Sequence, residues 1–476
     1  MIKDNNRLKN KIILGIDVGT SGLRACVVKK ELYAHQTDHK ILIECSVKLE
    51  PAKNNDSTRQ VLQDPLLWLD ALDNLLLELK SRFDLLQITH LIIDATSSTV
   101  LLSNNLGKPL TKALMYNDNH AKQPALQIEK AYQKYQKTMN QSEALQDSSQ
   151  VALGASSTLA KVLSLLESNQ QATNPIICHQ ADFINTYLCG ALNITDENNA
   201  LKLGYDLINE AWPVWVTELL AKYSPTCELP MVVKPGSYLG EITPQISSKY
   251  GFNSKLRVMA GTTDSIAGFL ASGANQLGDT VTSLGSTIAI KALSEKPIYN
   301  AKYGLYSHRL NNFWLVGGAS NAGGQVLLNY YSLDQLKWLN NQITEADINT
   351  FLKSEPENYY PLSSVGERFP ISNSQLKPKL PDLPICNSDE ITLSSECLKN
   401  HKHFLLKLLY GLTLIEKQSY QRLSEMGCEH IKDIYSVGGG TQSKIWMALR
   451  QQQIKSVQFR SAKQLQAAFG VTRLIS

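Results

Sequence analysis

Apolar and polar positions follow two rhythms along this chain: short continuous apolar runs broken by Gly and hydroxyl residues, and longer stretches with helical spacing. Ile12 to Gly22 starts with an apolar run carrying Asp17, passes through Gly19-Thr20-Ser21-Gly22, and resumes as Leu23 to Val28. That pattern predicts a buried strand, a tight turn and a second strand. Leu91 to Ile93 and Val100 to Ser103 predict strands flanking the polar turn Asp94-Ala95-Thr96-Ser97-Ser98-Thr99. Pro65 to Lys80 places Leu66, Leu67, Leu69, Leu72, Leu75 and Leu76 on or near one helical face. Further helices are predicted over Thr158 to Glu167 and Gln180 to Leu188, the second closed by Gly190. Residues 121 to 150 predict a surface helix followed by a loop. Pro225, Pro230, Pro235 and Gly236 mark a change of architecture before residue 258, and His403 to Met426 predicts a long helix. Ser354 to Asp389, with prolines at 356, 361, 370, 378, 381 and 384, reads as a long excursion over the surface. Strand pairs alternating with helices make the chain an α/β protein.

Three polar segments at strand ends are candidates for chemistry. In the first hairpin, glycines let backbone N–H groups approach an anion, Thr20 and Ser21 add donors, and Asp17 can hold a hydrated cation. A plain hairpin with a polar turn would give the same pattern. Val281 to Lys291 repeats it, with Gly285, Ser286 and Thr287 between two apolar runs, so the chain carries two candidate phosphate hairpins, one per half. Near the end, Gly438, Gly439 and Gly440 separate an apolar strand from the helical run Ile445 to Gln453. A nucleotide can lie against such a strand-to-helix turn, although these turns also occur without a ligand. Asp264 follows Gly261-Thr262-Thr263 and opens a small-apolar helix, as a reacting acid or as a simple helix cap.

Length and charge limit the alternatives. At 476 residues the chain is long enough for two domains. Its 47 basic and 43 acidic residues give a net charge of +4, with no long basic run interleaved with aromatics, so nucleic acid is not the expected partner. The eight cysteines, at 26, 45, 178, 189, 227, 386, 397 and 428, form no C-x-x-C pair. Reduced thiols are expected, rather than a disulfide frame or a zinc site. Met1 to Lys11 is polar and Asp17 interrupts the next apolar run, which fits neither a signal peptide nor a membrane span. A cytoplasmic location is therefore expected.

The ordered segments I-D-V-G-T-S-G, D-A-T-S-S-T-V, Y-N-D, H-Q-A-D-F-I, G-T-T-D-S-I-A-G-F-L-A-S-G-A, T-S-L-G-S-T, G-G-A-S-N-A-G-G and V-G-G-G resemble the FGGY family of carbohydrate kinases. The resemblance runs from about Ile12 to Gly470. Within the family it is most similar to the plant and cyanobacterial ribulokinase/xylulokinase-like group. It implies two actin-like, ribonuclease-H-like domains with an active-site cleft between them: a sugar-binding domain over 11–257 and an ATP-binding domain over 258–476.

The resemblance assigns roles residue by residue. Asp264 matches the general base and Asp17 the acid associated with Mg²⁺. Thr20 and Ser21 match the first phosphate loop, and Gly285, Ser286 and Thr287 the second. Gly438, Gly439, Gly440 and Ser443 fall on the adenosine turn, and Gly317, Gly318 and Gly323 on a segment lining the nucleotide side. Many members have Asn and then Pro after the triple glycine, where this chain has Ser443 and Lys444. Thr96, Ser97, Ser98, Asn117, Asp118, Gln180 and Asp182 lie on the sugar side, with Ser98 the leading candidate. Helix capping or buried hydrogen bonding is the competing role for Asp118 and Asp182, and core packing for Trp212 and Trp215.

The implied activity is ATP- and Mg²⁺-dependent phosphorylation of a ketopentose, D-ribulose to D-ribulose 5-phosphate. D-xylulose or another polyol is the nearest alternative, and the chain would act as a monomer or homodimer. A non-catalytic actin-like ATP-binding protein would have no need of a base at Asp264. A nicotinamide-dependent dehydrogenase is disfavoured because no G-x-G-x-x-G follows the first strand.

Overall fold

The opening apolar run forms strand β1 (Lys11–Val18), turns where the Gly19 N–H donates to the Gly22 carbonyl at 3.1 Å, and returns as β2 (Gly22–Leu32). The computed structural model describes residues 11–32, 37–55, 57–140, 147–354, 356–384, 386 and 394–476. Residues 1–10, part of the predicted loop before residue 150, and most of the stretch from 385 to 389 lie outside them.

The chain folds into two compact units, residues 1–271 with 464–476 and residues 272–463. This differs from the expected division at 257. The strand over 257–263 pairs into the first unit's sheet, and the terminal helix Ala467–Thr472 packs on β1, so both belong with the first unit.

In the first unit, β1 and β2 are extended by β3 (Thr37–Lys48) as an antiparallel meander. Next along the chain come β4 (Lys53–Asn55), β5 (Gln60–Gln63), β6 (His90–Ala95), β7 (Val100–Ser103), β8 (Ala113–Leu114) and β9 (Ile176–His179). They are followed by β10 (Ile194–Asp196), β11 (Met231–Val233), β12 (Tyr238–Glu241) and β13 (Arg257–Thr263). The main sheet has the order β12-β13-β6-β1-β2-β3, with β6 parallel to both β1 and β13. A second sheet, β4-β5-β8-β7-β9, takes the strand that follows the Thr96–Thr99 turn, so this turn carries the chain from one sheet to the other. The predicted leucine face belongs to the helix Leu66–Arg82, which packs against β2 and β3 and buries Leu72, Leu75, Leu76 and Leu79 in the first unit's core. Gly190 ends the helix Gln180–Cys189 in the left-handed conformation, as its position suggested.

The second unit has strands β14 (Asp279–Leu284), β15 (Ile288–Ser294), β16 (Tyr306–Leu310), β17 (Phe313–Ala319), β18 (Asp433–Val437) and β19 (Gln458–Ser461). Their order is β16-β17-β15-β14-β18-β19: the antiparallel β14–β15 hairpin continues through β17, with β16 at the edge, and β14 runs parallel to β18 and β18 to β19. The hairpins β1–β2 and β14–β15 thus hold corresponding places in the two sheets, which accounts for their sequence echo. The predicted helix near the end runs Ser395–Glu425 and fills the core with Leu405, Leu408, Leu409, Leu412 and Ile415.

The proline-rich excursion is more than surface covering. Leu362 and Phe369 are buried in the core of the second unit. Buried Glu367 accepts from Ser320 Oγ at 2.6 Å, the Asn321 N–H at 2.7 Å and Tyr360 OH at 3.0 Å. Cys386 and Cys397 form a disulfide, against the expectation of reduced thiols. Their Cα atoms stand 6.0 Å apart, within bridging range, although the sequence spacing gave no signal of it. The other six cysteines are free. No helix among the described residues is long and apolar enough to cross a membrane.

Candidate active site

Three adjacent parallel strands of the first unit end in acids. Asp17 near the end of β1 lies in register with Asp94 on β6, and Thr262 on β13 is the Asp94 partner on the other side, with Asp264 two residues farther on. Ligands of open α/β sheets gather at the carboxyl ends of parallel strands. Asp264 is the first residue of the helix Asp264–Ser272, and its Oδ1 accepts from the Ser265 N–H at 2.6 Å. The strand-to-helix junction therefore fixes this carboxylate at the edge of the sheet.

Asp94 received no role from the sequence, yet it is the most constrained of the three. It is 0 % exposed, and neither carboxylate oxygen has a hydrogen-bond donor among the described residues. Its pKa is driven well above the usual carboxylate range, first by burial and then by the negative charges of Asp17 and Asp264. Asp17 is raised too, chiefly by burial, with Arg24 opposing the shift. The Arg24 guanidinium donates to Asp17 Oδ2 at 3.0 Å while remaining largely exposed. Two ionised carboxylates offer each other only acceptors, so the pair is satisfied by one shared proton or by a cation between them. This donor set of hard oxygens fits Mg²⁺. The sequence signal for Asp94 was an acid at the same distance from its strand end as Asp17, visible only once β1 and β6 are known to pair in register.

Thr20 and Ser21 face solvent in the β1–β2 turn. Thr96 is committed internally: its N–H and hydroxyl both reach Gln180 Oε1, at 3.2 and 2.6 Å. Ser97 Oγ is buried without a hydrogen-bond partner among the described residues, and Ser98 is buried with a φ of 63°. Asn117 is exposed on the loop after β8. Asp118 is spent on the chain, accepting from the Val61 N–H at 2.7 Å and from His120 Nδ1 at 2.6 Å. Asp182 caps its own helix, accepting from the His179 N–H at 3.0 Å and His179 Nδ1 at 2.9 Å. The structural alternative thus accounts for the carboxylates of both Asp118 and Asp182. Trp215 is buried in the core, and Trp212 donates to the Pro230 carbonyl at 3.1 Å.

In the second unit the β14–β15 turn is bonded to the segment after β17, and the triple glycine packs against Leu284 at the end of β14. The Gly324 N–H donates to the Gly285 carbonyl at 2.8 Å, and the Gln325 N–H to the Ser286 carbonyl at 3.1 Å. Gly438 has a φ of 90°, and a Cβ there would stand 2.8 Å from the Leu284 carbonyl oxygen. A Cβ on Gly440 would stand 2.6 Å from the Trp446 ring, whereas at Gly439 it would meet nothing within 4 Å. Of the three glycines, Gly439 is the one open to a ligand. Ser443 is the N-cap of the helix Lys444–Gln453, accepting from the Trp446 N–H at 3.2 Å and donating to Asn340 Oδ1 at 2.6 Å. Gly318 packs beneath Leu305 and Phe369.

Residues 12–271 match the model of the FGGY family of carbohydrate kinases, N-terminal domain. The chain belongs to the FGGY family of carbohydrate kinases. Among its FGGY relatives is the xylulose kinase of Bacillus subtilis (strain 168), 20% identical over 451 residues, covering 92% of this chain and 83% of the relative. The xylulose kinase of Haemophilus influenzae is 24% identical, covering 91% of this chain and 84% of its own length. The crystal structure of xylulose kinase from Rhodospirillum rubrum superposes with a TM-score of 0.73 at 20% identity, over 98% of this chain and 89% of that one. At such identities the structural likeness speaks for the fold, two α/β units. FGGY sugar kinases use ATP as phosphoryl donor.

Proposed function

We propose that this FGGY kinase phosphorylates a ketopentose with Mg-ATP, with D-xylulose the leading substrate ahead of D-ribulose. The observation that carries the reading is the row of acids at the ends of β1, β6 and β13, with the Ser98 turn leaving the same end of β6. The preference for D-xylulose over the D-ribulose expected from sequence rests on the relatives named xylulose kinase.

A sugar hydroxyl is a weak nucleophile. Asp264 takes its proton as the oxygen bonds to the γ-phosphorus of ATP and the bond to the bridging oxygen of ADP breaks. Mg²⁺, when bound, offsets charge on the phosphates, and Asp17 with Asp94 would hold it. Arg24 presents a guanidinium to phosphate oxygens from beside Asp17. On the first unit the backbone of the Gly19–Gly22 turn offers N–H donors to phosphate; on the second the Gly285–Thr287 turn offers its own, and Gly439 offers bare backbone to a nucleotide. Ser97, Ser98 and Asn117 contact sugar hydroxyls; Asp118 and Asp182 support the loops instead.

Coupled ADP release against D-xylulose, D-ribulose, L-ribulose, glycerol and a no-sugar control tests the reading. It predicts sugar-dependent turnover with a ketopentose as the best substrate. Turnover of ATP that ignores every sugar would overturn it.

A further inference from the structure

Lys161 is a fully buried lysine that no motif singled out. It lies on the helix Thr158–Ser168, whose apolar face belongs to the core against β7. Its Nζ donates to three carbonyls: Ser98 at 2.9 Å, Met115 at 2.7 Å and Tyr116 at 3.3 Å. The first carbonyl lies in the turn between β6 and β7, and the other two immediately precede Asn117. One ammonium, with three N–H groups and no acceptor, thereby ties together both loops of the proposed sugar side. One turn earlier on the same helix, Thr158 Oγ1 donates to Ser98 Oγ at 3.2 Å. Accepting that bond leaves the Ser98 O–H to donate to a ligand oxygen. Ser98 has a φ of 63°, a region that a residue with a side chain enters only when its surroundings hold it there.

We propose that Lys161 is the positioning residue of the sugar side, its ammonium fixing the Ser98 turn against the Met115–Asn117 loop and so setting the affinity for the ketose. This inference rests on the kinase reading above. Lys161 touches no substrate; it acts through Ser98 and Asn117.

Protonation gives the device a recognisable signature. Burial lowers Lys161 from the ordinary lysine value to about 7; the Asp118 charge opposes that shift and Lys202 adds to it. His120 also faces this helix, bridging Asp118 Oδ1 and Ser164 Oγ. Below about 7 the ammonium serves all three carbonyls. Above it the neutral amine has two N–H groups for three acceptors, and one strand of the tie is lost.

Steady-state kinetics of wild type, Lys161→Met and Lys161→Gln, run against pH with sugar and ATP varied separately, test this. Lys161→Met is expected to raise the sugar KM by about tenfold or more, the cost of losing hydrogen bonds to a charged group, with the ATP KM unchanged. Lys161→Gln retains two N–H donors and is expected to fall between. The wild-type sugar KM should rise as pH passes upward through about 7, and this limb should be absent from both variants. A limb that survives in Lys161→Met assigns the titration to another group and overturns the proposal. Hydrogen exchange of the peptides covering residues 95–100 and 113–118 needs no substrate, and both should exchange faster in Lys161→Met. An active wild type whose Lys161→Met variant keeps the sugar KM, or loses sugar and ATP affinity alike, also overturns it. A wild type with no ketose turnover overturns the kinase reading first, a result distinct from either of these.

Discussion

Asp17 and Asp94 lie side by side in register on adjacent parallel strands, and no donor among the described residues satisfies Asp94. A buried carboxylate in that position costs stability unless something positive joins it. Asp94→Asn removes the need for a proton or cation at that position and supplies an amide that can donate to Asp17. The metal-free variant should melt a few degrees higher than wild type, as expected for relief of about 1 kcal/mol or more. Its Mn²⁺ affinity, followed by electron paramagnetic resonance, should fall. A variant that melts lower and binds Mn²⁺ as wild type does would remove Asp94 from the proposed metal seat.

The triple glycine separates packing from binding. Gly440→Ala drives a Cβ into the Trp446 ring and the Leu284 side chain and should destabilise the protein by about 1–3 kcal/mol in urea titration. Gly439→Ala meets nothing within 4 Å, so its stability should stay close to wild type. Its ATP KM should rise, because the added methyl group occupies the face offered to the nucleotide. Equal ATP affinity in wild type and Gly439→Ala would argue that the nucleotide lies elsewhere.

Ser443 stands where the family resemblance puts an adenosine contact, yet its hydroxyl caps a helix and bonds Asn340. Ser443→Ala should therefore cost about 1 kcal/mol of stability, the usual worth of an N-cap. Its ATP KM should barely move. A large loss of ATP affinity with no change in melting would return Ser443 to the nucleotide site.

Behind the second hairpin, Arg450 and Glu416 form a fully buried bidentate pair, with both bonds at 2.7 Å. Arg450 also donates to Ser436 on β18, and Tyr420 joins Glu416 to Thr282 on β14. Arg450→Met leaves a buried carboxylate unpaired and should cost about 3–5 kcal/mol. The double variant Arg450→Met with Glu416→Leu should recover much of that loss. Additive costs in a double-mutant cycle would deny the coupling.

Much of the fold was legible because its signals are local. The Ile12 to Gly22 hairpin, its echo near residue 285, the leucine face after Pro65 and the Gly190 stop each depend on residues within a few positions of one another. What escaped depends on pairing across the chain. Asp94 became informative only beside Asp17, and Lys161 only when its helix docked on two loops. The domain boundary was misread at 257 because β13 completes the first unit's sheet, and no linker composition marks that. Asp118 and Asp182 were ambiguous for the converse reason: a short acid near a helix or loop start reads alike whether it binds a sugar or its own backbone.

The central claim is that Asp264 takes the proton of a ketopentose hydroxyl during phosphoryl transfer from ATP. Rapid-quench single-turnover transfer from γ-labelled ATP to D-xylulose and D-ribulose, comparing wild type with Asp264→Asn, tests it most directly. The account predicts labelled sugar phosphate from wild type and a transfer rate lowered by about 10²–10⁴-fold in the variant, with sugar binding retained. Labelled sugar phosphate formed at the wild-type rate by Asp264→Asn would contradict it.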